Sequence, residues 1–391
     1  MWQMEDLYAE DFKMNNYIFK IEDKDFAIDN NYLSVNMFEV KSSPKNYKVF
    51  INNLDPKEEV LNKLNENSNN ILFIDKNVYN LYFINENINK EKLYVFEAIE
   101  ENKIVENALE LIKFLEKRNF TKSETMIVCG GGIVQDIGAF VGATYKRGIK
   151  WVFFPTTLLS QCDSCIGGKT GLNYNGVKNQ VALFSAPTQV IINTNFITTL
   201  NDYEIRSGLG EISKLCITGG EYFFDLYKSL VHNGKVSNLE DYKKLILSAL
   251  FVKKAVIEYD EFEFNIRKSL NYGHTMGHSI EVMSDYKIPH GQAVAMGSII
   301  ANKLSYIYGY LSKEKLDYIN SYLFDIINKE DLKELKIDKT LELIKKDKKV
   351  QGNTLSLVGI KNLGDTVFIK INIDIELFKH IKSILEDDFK I

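Results

Sequence analysis

Three of the five histidines of this chain, His274, His278 and His290, lie within one short stretch of its second half. Arg267 and Asn271 precede the first two at helical spacing in RKSLNYGHTMGH. If this stretch is helical, these polar side chains share one face, because residues three or four positions apart are neighbours on a helix surface. Two histidines one turn apart can share a metal ion. An ordinary solvated face is the alternative interpretation.

Further ligands of such a metal must come from outside this turn. Thr275 stands where the HExxH motif of zinc proteases requires a glutamate, which argues against a protease of that class. His290 is one candidate ligand. Glu211, in SGLGEISK, is another, since it lies among small residues and close to Lys214. A solvated glutamate is the alternative interpretation of Glu211.

The segment QCDSCIGGKTGLN contains two incomplete motifs. A phosphate-binding P-loop requires a glycine where Asp163 stands, and the carboxylate of Asp163 would repel a phosphate. Cys162 and Cys165 form one C-x-x-C pair, and no second pair completes a four-cysteine zinc site. A redox pair is the alternative, but we expect both cysteines to pack as small apolar side chains.

A glycine-rich turn follows a strand-like run in TMIVCGGGIVQDIGAF. Three consecutive glycines would let a diphosphate approach the backbone, and the helix that follows would offer free N–H groups at its first turn. The G-x-G-x-x-G fingerprint of dinucleotide-binding folds is absent. A tight structural turn is an equally good interpretation of the glycines alone.

The composition indicates a globular protein and excludes several classes. Hydrophobic residues make up 45% of the chain and charged residues 26%, as is usual for folded domains. A formal net charge of −5 offers no basic surface for nucleic acid. The N-terminal residues do not resemble a secretory signal, and no apolar run approaches the ~18–20 residues that span a bilayer. We therefore expect a cytoplasmic protein with four reduced cysteines, and no membrane partner.

Two kinds of domain are expected to position these residues. Strand-like runs alternate with helical or loop segments before residue 200, and these runs are YKVFI, NILFID, KLYVFE, TMIVCG, KWVFFPT and QVIINT. That alternation predicts a mostly parallel α/β sheet, whereas the segments after residue 200 read almost entirely as helices. We predict an α/β domain over residues 1–200, with an N-terminal extension of roughly 35 residues, and a mostly helical domain over 201–391.

Several motifs occur together in the order and spacing of one enzyme family. They are GGGIVQD, TYKRG, FFPTTLLSQCDSCIGGKTGLN, SGLGEISK, DEFEFNIRKSLNYGHTMGH and HGQAVAMG. From about residue 70 to residue 360 the chain resembles the 3-dehydroquinate synthases, within the sugar-phosphate cyclase superfamily. In that family CDSCIGGKTG corresponds to a loop that binds substrate and NAD, where the cysteines occupy positions of small residues.

The resemblance implies roles for residues of both domains. It implies a divalent metal, usually zinc with cobalt as an alternative, held by Glu211, His274 and His290. Catalytic roles are implied for Glu263, His278, Lys169 and Lys214. Substrate-binding positions are Arg147, Asp163, Lys169, Asn179, Lys214, Lys253, Arg267, Asn271 and Lys348. NAD-binding positions are Asp75, Asn77, Glu100, Lys103, Gly131, Gly132, Ile133, Asp136, Thr156, Thr157, Lys178, Phe196 and Thr199. His278 would lie near the phosphate and transfer protons, and Arg147 would reach the site of a neighbouring subunit in a homodimer.

The implied reaction belongs to the shikimate pathway of aromatic amino-acid biosynthesis. 3-Deoxy-D-arabino-heptulosonate 7-phosphate becomes 3-dehydroquinate and phosphate. NAD⁺ removes a hydride from a ring carbinol whose oxygen the metal polarises, which acidifies the neighbouring C–H so that phosphate leaves by β-elimination. The hydride then returns, the ring opens, and an intramolecular aldol step closes the carbocycle. NAD is regenerated, so the reaction has no net redox change.

Four residues depart from the family pattern. Gln135 replaces a glycine in the glycine-rich turn, which would alter the approach of a pyrophosphate. Ile99 and Asn265 also stand at glycine positions, before Glu100 and Arg267 respectively. Gln292 replaces a glutamate after His290, and we expect this change to weaken the support of that ligand.

Three alternative functions are considered. A related cyclase would act on sedoheptulose 7-phosphate, glucose 6-phosphate or an amino analogue, but Arg267 and Asn271 favour a carboxylated substrate. A metal-dependent polyol dehydrogenase would share the glycine-rich turn and the histidine-rich helices, but it would release NADH and need no set of lysines. A non-catalytic relative would not be expected to keep all three metal ligands.

Overall fold

A computed structural model describes residues 16–43, 45–345, 350–351 and 354–389. The chain divides into two compact units. The first is Val35–Leu200, and the second is Asn201–Ile391 together with the N-terminal segment that ends at Ser34. The change of unit after Leu200 lies where the sequence predicted the join.

The strands formed by the described residues are β1 (Asn16–Ile21), β2 (Lys24–Asp29), β3 (Met37–Val40), β4 (Tyr47–Asn52), β5 (Ile71–Asp75), β6 (Leu93–Phe96), β7 (Thr125–Gly130), β8 (Lys150–Pro155), β9 (Lys169–Tyr174), β10 (Val177–Phe184), β11 (Gln189–Asn193), β12 (Val231–His232), β13 (Lys235–Val236), β14 (Val350–Gln351), β15 (Thr354–Asn362) and β16 (Asp365–Asn372). The α-helices within the same ranges are α1 (Pro56–Asn65), α2 (Lys76–Tyr82), α3 (Val105–Lys117), α4 (Gly132–Thr144), α5 (Asp202–Gly219), α6 (Glu221–Leu230), α7 (Leu239–Tyr259), α8 (His274–Met283), α9 (His290–Ile307), α10 (Lys313–Ile326), α11 (Lys329–Leu332), α12 (Ile337–Lys345) and α13 (Ile375–Asp388).

A seven-stranded sheet forms the centre of the first unit, with strand order β3-β4-β11-β8-β7-β5-β6. All its neighbouring strands are parallel except β3 and β4, which are antiparallel. The six strands expected from the sequence are confirmed as β4 to β8 and β11. Their apolar residues are nearly continuous because a strand in a parallel sheet is covered on both faces.

The two faces of this sheet pack against different helices. On one face, Leu72 and Ile127 belong to a buried cluster that includes Val60 of α1. On the other face, α4 lies very close to the strands. A Cβ atom at Gly138 would lie 2.7 Å from a methyl group of Val128. Glycine is therefore required where α4 crosses β7, and the helix is held firmly on the sheet.

The hairpin of β9 and β10 was not predicted from the sequence. The two strands are antiparallel, with Lys169 opposite Phe184. Asn175 and Gly176 connect them with φ values of 49° and 74°. Two consecutive positive φ values are typical of a type I′ turn, for which Asn-Gly is the preferred pair. This Asn-Gly pair was the sequence signal for the hairpin.

The second unit is richer in strands than the sequence indicated. Besides helices α5 to α13 it contains a five-stranded sheet with the order β14-β15-β16-β1-β2. The prediction of a mostly helical domain after residue 200 is confirmed, but the strands of this sheet were missed. β15 and β16 form a hairpin in which Gly364 has a φ of 73°, and a glycine at such a turn is a hairpin signal.

The N-terminal segment was expected within the first domain, but it belongs to the second unit. β1 pairs with β2 in an antiparallel hairpin and with β16 in parallel register. Lys20 lies opposite Asp365 in that parallel pair. Backbone pairing between the two ends of the chain has no local sequence signature, since it depends on residues more than three hundred positions apart. Among the described residues no helix combines the length and apolarity needed to cross a membrane.

Candidate functional site

Two glycines let helices α5 and α9 come into backbone contact in the second unit. A Cβ atom at Gly210 would overlap the carbonyl group of Gly291, and one at Gly291 would overlap the carbonyl group of Ser207. Glu211 follows the first glycine, and His290 precedes the second. The close approach of the two backbones therefore brings these two side chains together.

A break in the chain positions the histidines of α8. A 3₁₀ turn covers Ile266–Asn271, and Gly273 then adopts the left-handed conformation, with φ of 77° and ψ of −24°. Helix α8 begins at His274. The expected single helical face from Arg267 to His278 was therefore wrong, because the left-handed residue starts a new helix axis. His274 and His278 remain one turn apart at the start of α8.

The three expected metal ligands converge in the second unit. Glu211 is fully buried on α5, at 0% exposure. Its Oε1 atom lies 3.6 Å from Nε2 of His274 and 3.3 Å from Nε2 of His290. Its other oxygen, Oε2, lies 2.5 Å from Nζ of Lys214. One carboxylate thus faces two imidazoles on one side and an ammonium group on the other.

Acceptors on the far side of each imidazole determine which nitrogen carries the proton. Nδ1 of His274 lies 3.2 Å from the carbonyl oxygen of Tyr272, and Nδ1 of His290 lies 3.1 Å from Oε2 of Glu281. A carbonyl or carboxylate oxygen only accepts, so each Nδ1 atom donates. In the neutral tautomers the lone pairs of both Nε2 atoms then face Glu211, as is typical of metal-binding histidines.

The electrostatics of this cluster favour a cation. Burial raises the pKa of Glu211, but the charges of Lys214 and His290 outweigh burial, so the pKa lies well below its usual range. Burial lowers the pKa of His290, but hydrogen bonds with Glu211 and Glu281 outweigh it and raise the pKa to about 10. Two carboxylates therefore stabilise positive charge at His290, and a divalent metal can take the place of that proton.

The donor set and its spacing fit a divalent metal. A tetrahedral zinc site with bonds of about 2.0–2.2 Å places neighbouring donor atoms roughly 3.4 Å apart. The separations of 3.6 Å and 3.3 Å from the Glu211 oxygen to the two Nε2 atoms match that spacing. A carboxylate and two imidazoles are ligands that zinc and cobalt accept.

His278 lies at the edge of the same cluster. Its ring centroid is 5.3 Å from that of His274 and 5.8 Å from that of His290. One nitrogen of each of the three imidazoles lies within 4.8 Å of one nitrogen of the others. His278 is exposed, whereas His274 is buried and His290 is half-buried. His278 is therefore the histidine of the cluster with the greatest access to solvent and to a bound molecule.

Several expected substrate residues surround the 3₁₀ turn before α8. Arg267 is buried at 1% exposure, and its guanidinium group donates to the carbonyl oxygen of Glu261. Asp260 accepts hydrogen bonds from the backbone N–H groups of Phe264 and Asn265, just before this turn, and of Arg267 within it at 3.0 Å. Asn271 donates to Oε1 of Glu263 at 2.9 Å. Glu263 has a φ of 60°, and its strained backbone is held by these contacts.

The remaining expected substrate residues of the second unit are two lysines. Lys253 is buried on α7 at 7% exposure. Lys348 lies outside the residues that the structure describes. Asn265, at a departure from the family pattern, donates its backbone N–H to Oδ2 of Asp260 at 2.8 Å and so takes part in holding the turn.

In the first unit, the expected NAD residues lie where the parallel strands end. Asp75 ends β5, Gly131 follows β7, Thr156 and Thr157 follow β8, and Phe196 follows β11. The carboxyl ends of parallel strands share one edge of a sheet, where open α/β folds bind their ligands. Residues far apart in the sequence are thus brought to one edge of this unit.

The glycine-rich turn fits both interpretations that the sequence left open, a tight structural turn and a site that an anion can approach. A Cβ atom at Gly130 would lie 2.7 Å from Val134, so Gly130 is required by packing. At Gly132 a Cβ atom would meet nothing within 4 Å, so there is open space beside the turn. No side chain caps the first turn of α4, whose N-cap residue is Gly131. The N–H groups of this turn, including that of Ile133, suit an anion.

Lys103 connects several expected cofactor and substrate residues of the first unit. Its Nζ atom donates to Oδ2 of Asp136 at 3.1 Å and to Oδ1 of Asn179 at 2.9 Å. Glu100 lies 3.6 Å from the same ammonium group and 3.8 Å from that of Lys178. Burial raises the pKa of Asp136 to about 6, although the charge of Lys103 acts in the opposite direction. Asn179 has a φ of 55° and occupies the bulge of β10.

The other expected NAD residues make local contacts. Asp75 caps helix α2 by accepting a hydrogen bond from the backbone N–H of Asn77 at 2.6 Å. The backbone N–H of Thr156 donates to the carbonyl oxygen of Gly130 at 3.0 Å. Thr199 donates to the carbonyl oxygen of buried Phe196 at 3.1 Å. Ile99, at a departure from the family pattern, is exposed and precedes the 3₁₀ turn of Glu100.

The segment with the C-x-x-C pair is a single wide helical turn, Ser160–Ser164, of the π type. All four cysteines are buried, as expected for small apolar side chains. The thiol group of Cys162 donates to the carbonyl oxygen of Leu159 at 3.6 Å, and that of Cys165 donates to the carbonyl oxygen of Gln161 at 3.4 Å. Asp163 is half-buried in this turn, and Lys169 is exposed at the start of β9.

Arg147 stands in a strained, exposed turn before β8. Lys146, Arg147 and Gly148 have φ values of 51°, 62° and 106°. Three consecutive positive values are unusual and present the arginine side chain to solvent. Its expected role at a neighbouring subunit stays a prediction.

Glu281 was missed by the sequence analysis, and the expectation for Gln292 was wrong. Gln292 is buried, donates to the carbonyl oxygen of Ile326 at 2.9 Å and accepts from the backbone N–H of Asn328 at 2.9 Å. It therefore holds a loop, whereas Glu281 supports His290. An acidic residue one turn after His278 in HTMGHSIE was the available signal.

Family comparisons cover the greater part of the chain. Residues 93–207 match the 3-dehydroquinate synthase N-terminal model, and residues 208–350 match the 3-dehydroquinate synthase C-terminal model. A 3-dehydroquinate synthase of Clostridium tetani is 40% identical over 286 residues, which are 69% of this chain and 76% of that protein.

Solved structures with the same fold include two sugar-phosphate cyclases. A 2-deoxy-scyllo-inosose synthase complexed with carbaglucose-6-phosphate, NAD⁺ and Co²⁺ superposes with a TM-score of 0.75 at 17% identity, covering 89% of this chain and 99% of that one. The 2-epi-5-epi-valiolone synthase of Streptomyces hygroscopicus subsp. jinggangensis, with NAD⁺ and Zn²⁺ bound, superposes with a TM-score of 0.71 at 20% identity. The match covers 90% of this chain and 100% of that one. At these identities the likeness is one of fold.

Proposed function

The chain belongs to the 3-dehydroquinate synthase family, and from this premise we propose that it converts 3-deoxy-D-arabino-heptulosonate 7-phosphate into 3-dehydroquinate and phosphate. The observation that carries this proposal is the convergence of Glu211, His274 and His290 at donor spacings suited to a divalent metal. A related protein of the same fold binds Co²⁺ and NAD⁺, and another binds Zn²⁺ and NAD⁺.

We propose Zn²⁺ or Co²⁺ as the metal and NAD⁺ as the redox cofactor. When bound, the metal would act as a Lewis acid on a substrate hydroxyl oxygen, and NAD⁺ would accept a hydride from that carbinol and later return it. Glu211, His274 and His290 would hold the metal. The open turn at Gly131 and Gly132 would receive the diphosphate of NAD⁺ on backbone N–H groups.

Cationic side chains would bind the two anionic groups of the substrate. Arg267 and Lys253 are buried in the second unit, where an ionic contact is weakly screened by water. The planar guanidinium group of Arg267 suits a carboxylate or a phosphate, since it can donate two parallel hydrogen bonds. Asn271, already fixed by Glu263, would add a neutral donor beside that charge. Lys169 is the cation that we propose for the substrate in the first unit, where Asn179 and Asp163 are further proposed substrate-binding residues.

Protons would be handled by groups at the edge of the metal cluster. His278 is exposed and adjacent to both histidine ligands, so it can exchange a proton with substrate or solvent. Lys214 is held as an ammonium group by Glu211 and would keep that carboxylate charged. We propose His278 as the principal proton carrier and Lys214 as the group that maintains the charge of the ligand set.

Phosphate release tests the function directly. The protein is incubated with 3-deoxy-D-arabino-heptulosonate 7-phosphate, NAD⁺ and Zn²⁺, while free phosphate and NADH absorbance are followed together. We expect phosphate to accumulate without NADH, because the hydride returns to the substrate in each cycle.

Other outcomes would contradict the proposal in distinguishable ways. Phosphate release from sedoheptulose 7-phosphate alone would keep the cyclase chemistry and change the substrate. Accumulation of NADH with a polyol and no phosphate would indicate a dehydrogenase.

A further inference from the structure

Gln135 and Ser164 form a reciprocal pair of hydrogen bonds within the first unit. Nε2 of Gln135 donates to the carbonyl oxygen of Ser164 at 2.7 Å, and the hydroxyl group of Ser164 donates to Oε1 of Gln135 at 2.6 Å. Gln135 is buried, at 5% exposure. The contact engages both the main chain and the side chain of Ser164, so it restrains position and orientation together.

The glutamine side of this pair belongs to a rigid element. Gln135 lies in the first turn of α4, one residue before Asp136, which Lys103 holds. Further along α4, Gly138 and Gly142 contact the sheet so closely that an added Cβ atom would lie 2.7 Å from Val128 or Trp151. Helix α4 is therefore fixed to the sheet independently of Gln135.

The serine side belongs to the wide helical turn Ser160–Ser164. At its beginning, Ser160 exchanges hydrogen bonds with Thr157, including Oγ to the carbonyl oxygen of Thr157 at 2.9 Å. Gln161 donates to the carbonyl oxygens of Pro155 and Asn193 at 3.1 Å and 2.9 Å. The beginning of the turn is thus anchored to the ends of two strands, β8 and β11.

The pair of Gln135 and Ser164 restrains the end of this turn. A π-type turn is a locally strained form that is uncommon outside functional sites. Asp163 lies between the two anchored ends and is half-buried. Directly after the turn, Cys165 and Ile166 are buried, and the backbone N–H of Gly167 donates to the hydroxyl group of Tyr47 at 3.0 Å. The pair is the contact that engages Ser164 itself, next to Asp163. Without it, Ser164 would be less restrained and the position of the Asp163 carboxylate would vary.

We propose that Gln135 is a positioning residue, which acts through Ser164 to hold the Asp163 carboxylate in place for the phosphorylated substrate. This inference rests on the proposed function, in which Asp163 contacts the substrate. In this proposal, helix α4 has two separate roles. The backbone N–H groups of its first turn serve the cofactor, and the Gln135 side chain serves the substrate loop.

The test uses the full chain with Gln135→Met, Ser164→Ala and the double variant. Methionine keeps the volume of glutamine and removes both hydrogen bonds. Loss of an ordering contact worth roughly one hydrogen bond should raise KM for the sugar phosphate about tenfold. KM for NAD⁺ should change less than about twofold, since packing alone holds α4. The double variant should be no worse than Gln135→Met, because that variant already removes both hydrogen bonds, whereas Ser164→Ala removes only the one from the hydroxyl group.

Thr188→Val is the matched control. Thr188 also donates a side-chain hydrogen bond to a carbonyl oxygen in the first unit, that of Trp151, at 2.7 Å. We expect it to lower the midpoint of thermal unfolding like the other variants, with both KM values unchanged. If Gln135→Met and Ser164→Ala behave like this control, the pair is merely structural and the proposal is overturned. Ser164→Thr, which keeps the hydroxyl group, should restore a near-normal KM.

Hydrogen exchange separates this proposal from the proposed function, because it requires no turnover. Amide exchange of the segment 160–168 should accelerate in Gln135→Met and stay unchanged in Thr188→Val. If exchange is faster in Gln135→Met but the unsubstituted protein releases no phosphate, the role of the pair in restraining the turn is supported and the proposed function is contradicted. Unchanged exchange in Gln135→Met would overturn the positioning role whatever the activity.

Discussion

The two proposed histidine ligands differ in what orients their outer nitrogen atoms. His274 donates to a backbone carbonyl group, that of Tyr272, whereas His290 donates to the charged carboxylate of Glu281. A carboxylate partner makes an imidazole a stronger ligand than a neutral partner does. The two histidines should therefore respond differently to changes in their surroundings.

His274→Ala should remove bound metal and activity together. The variant takes one of three donors from the cluster, and two donors do not hold zinc against a chelating buffer. Metal content by atomic absorption and phosphate release are measured on the same sample. His380→Ala, on α13 with a single weak ion pair to Glu376 at 3.8 Å, is the histidine control and should keep both properties. Full activity in a metal-free His274→Ala protein would refute the ligand assignment.

Glu281→Gln should weaken zinc binding about 10–100-fold while the fold is kept. Glutamine can still accept the hydrogen bond from His290, so this variant isolates the effect of the charge. Competition with a fluorescent zinc chelator measures the affinity. Gln292→Ala is the contrasting variant, because it loses two buried backbone contacts and should cost about 1–3 kcal/mol of unfolding free energy with unchanged zinc affinity. If Gln292→Ala weakens zinc binding and Glu281→Gln does not, then Gln292 and not Glu281 supports His290.

At the scale of elements, the crossing of α5 and α9 decides whether a metal can bind. The backbones touch at Gly210 and Gly291, each adjacent to a ligand. Any side chain there would separate the helices and move Glu211 away from His290. The glycines are thus part of the proposed metal site although neither can bind a metal through a side chain.

Gly210→Ala should reduce stability and zinc affinity together. Overpacking of this kind costs typically about 1–3 kcal/mol, and the shift of α5 away from α9 would also separate the donor atoms. Zinc affinity and thermal unfolding are both measured. Gly142→Ala in the first unit, where an added Cβ atom would lie 2.7 Å from Trp151, should reduce stability alone. Equal zinc affinity in the two variants would show that the helix crossing does not set the donor spacing.

At the scale of the whole molecule, the two proposed cofactors are held by different units. The proposed metal ligands belong to the second unit, and the glycine-rich turn belongs to the first. A ligand that binds only the folded form stabilises it in proportion to the logarithm of its concentration over Kd. Metal and NAD⁺ should therefore each raise the unfolding midpoint.

Chelation separates these two contributions. Removing zinc from a level of about 100 times its Kd should cost about 2.7 kcal/mol of stability. In the His274→Ala variant, zinc should produce no shift of the unfolding midpoint, and NAD⁺ should still raise it. Differential scanning calorimetry with and without a chelator measures both effects. Loss of the NAD⁺ response in that variant would mean that the two sites are not independent.

The sequence alone determined the kinds of chemistry this chain can perform. Local patterns were enough for the six strands of the parallel sheet, because an apolar run of strand length reflects burial of that run itself. The motif order was enough to identify the family, and the residue types were enough to propose a metal site containing His274 and His290. The pairing of Gln135 with Ser164 and the support of His290 by Glu281 could not be predicted, because each depends on the packing of separate segments.

The tertiary structure decided which of these residues meet. Glu211 faces the histidines because two glycines let α5 and α9 touch, and Gly273 ends the 3₁₀ turn so that His274 starts a new helix. The N-terminal hairpin joins the second unit through pairing of β1 with β16, at the opposite end of the chain. Periodicity and residue type are properties of neighbours in sequence, whereas distances between helices and the pairing of remote strands depend on how separate segments pack.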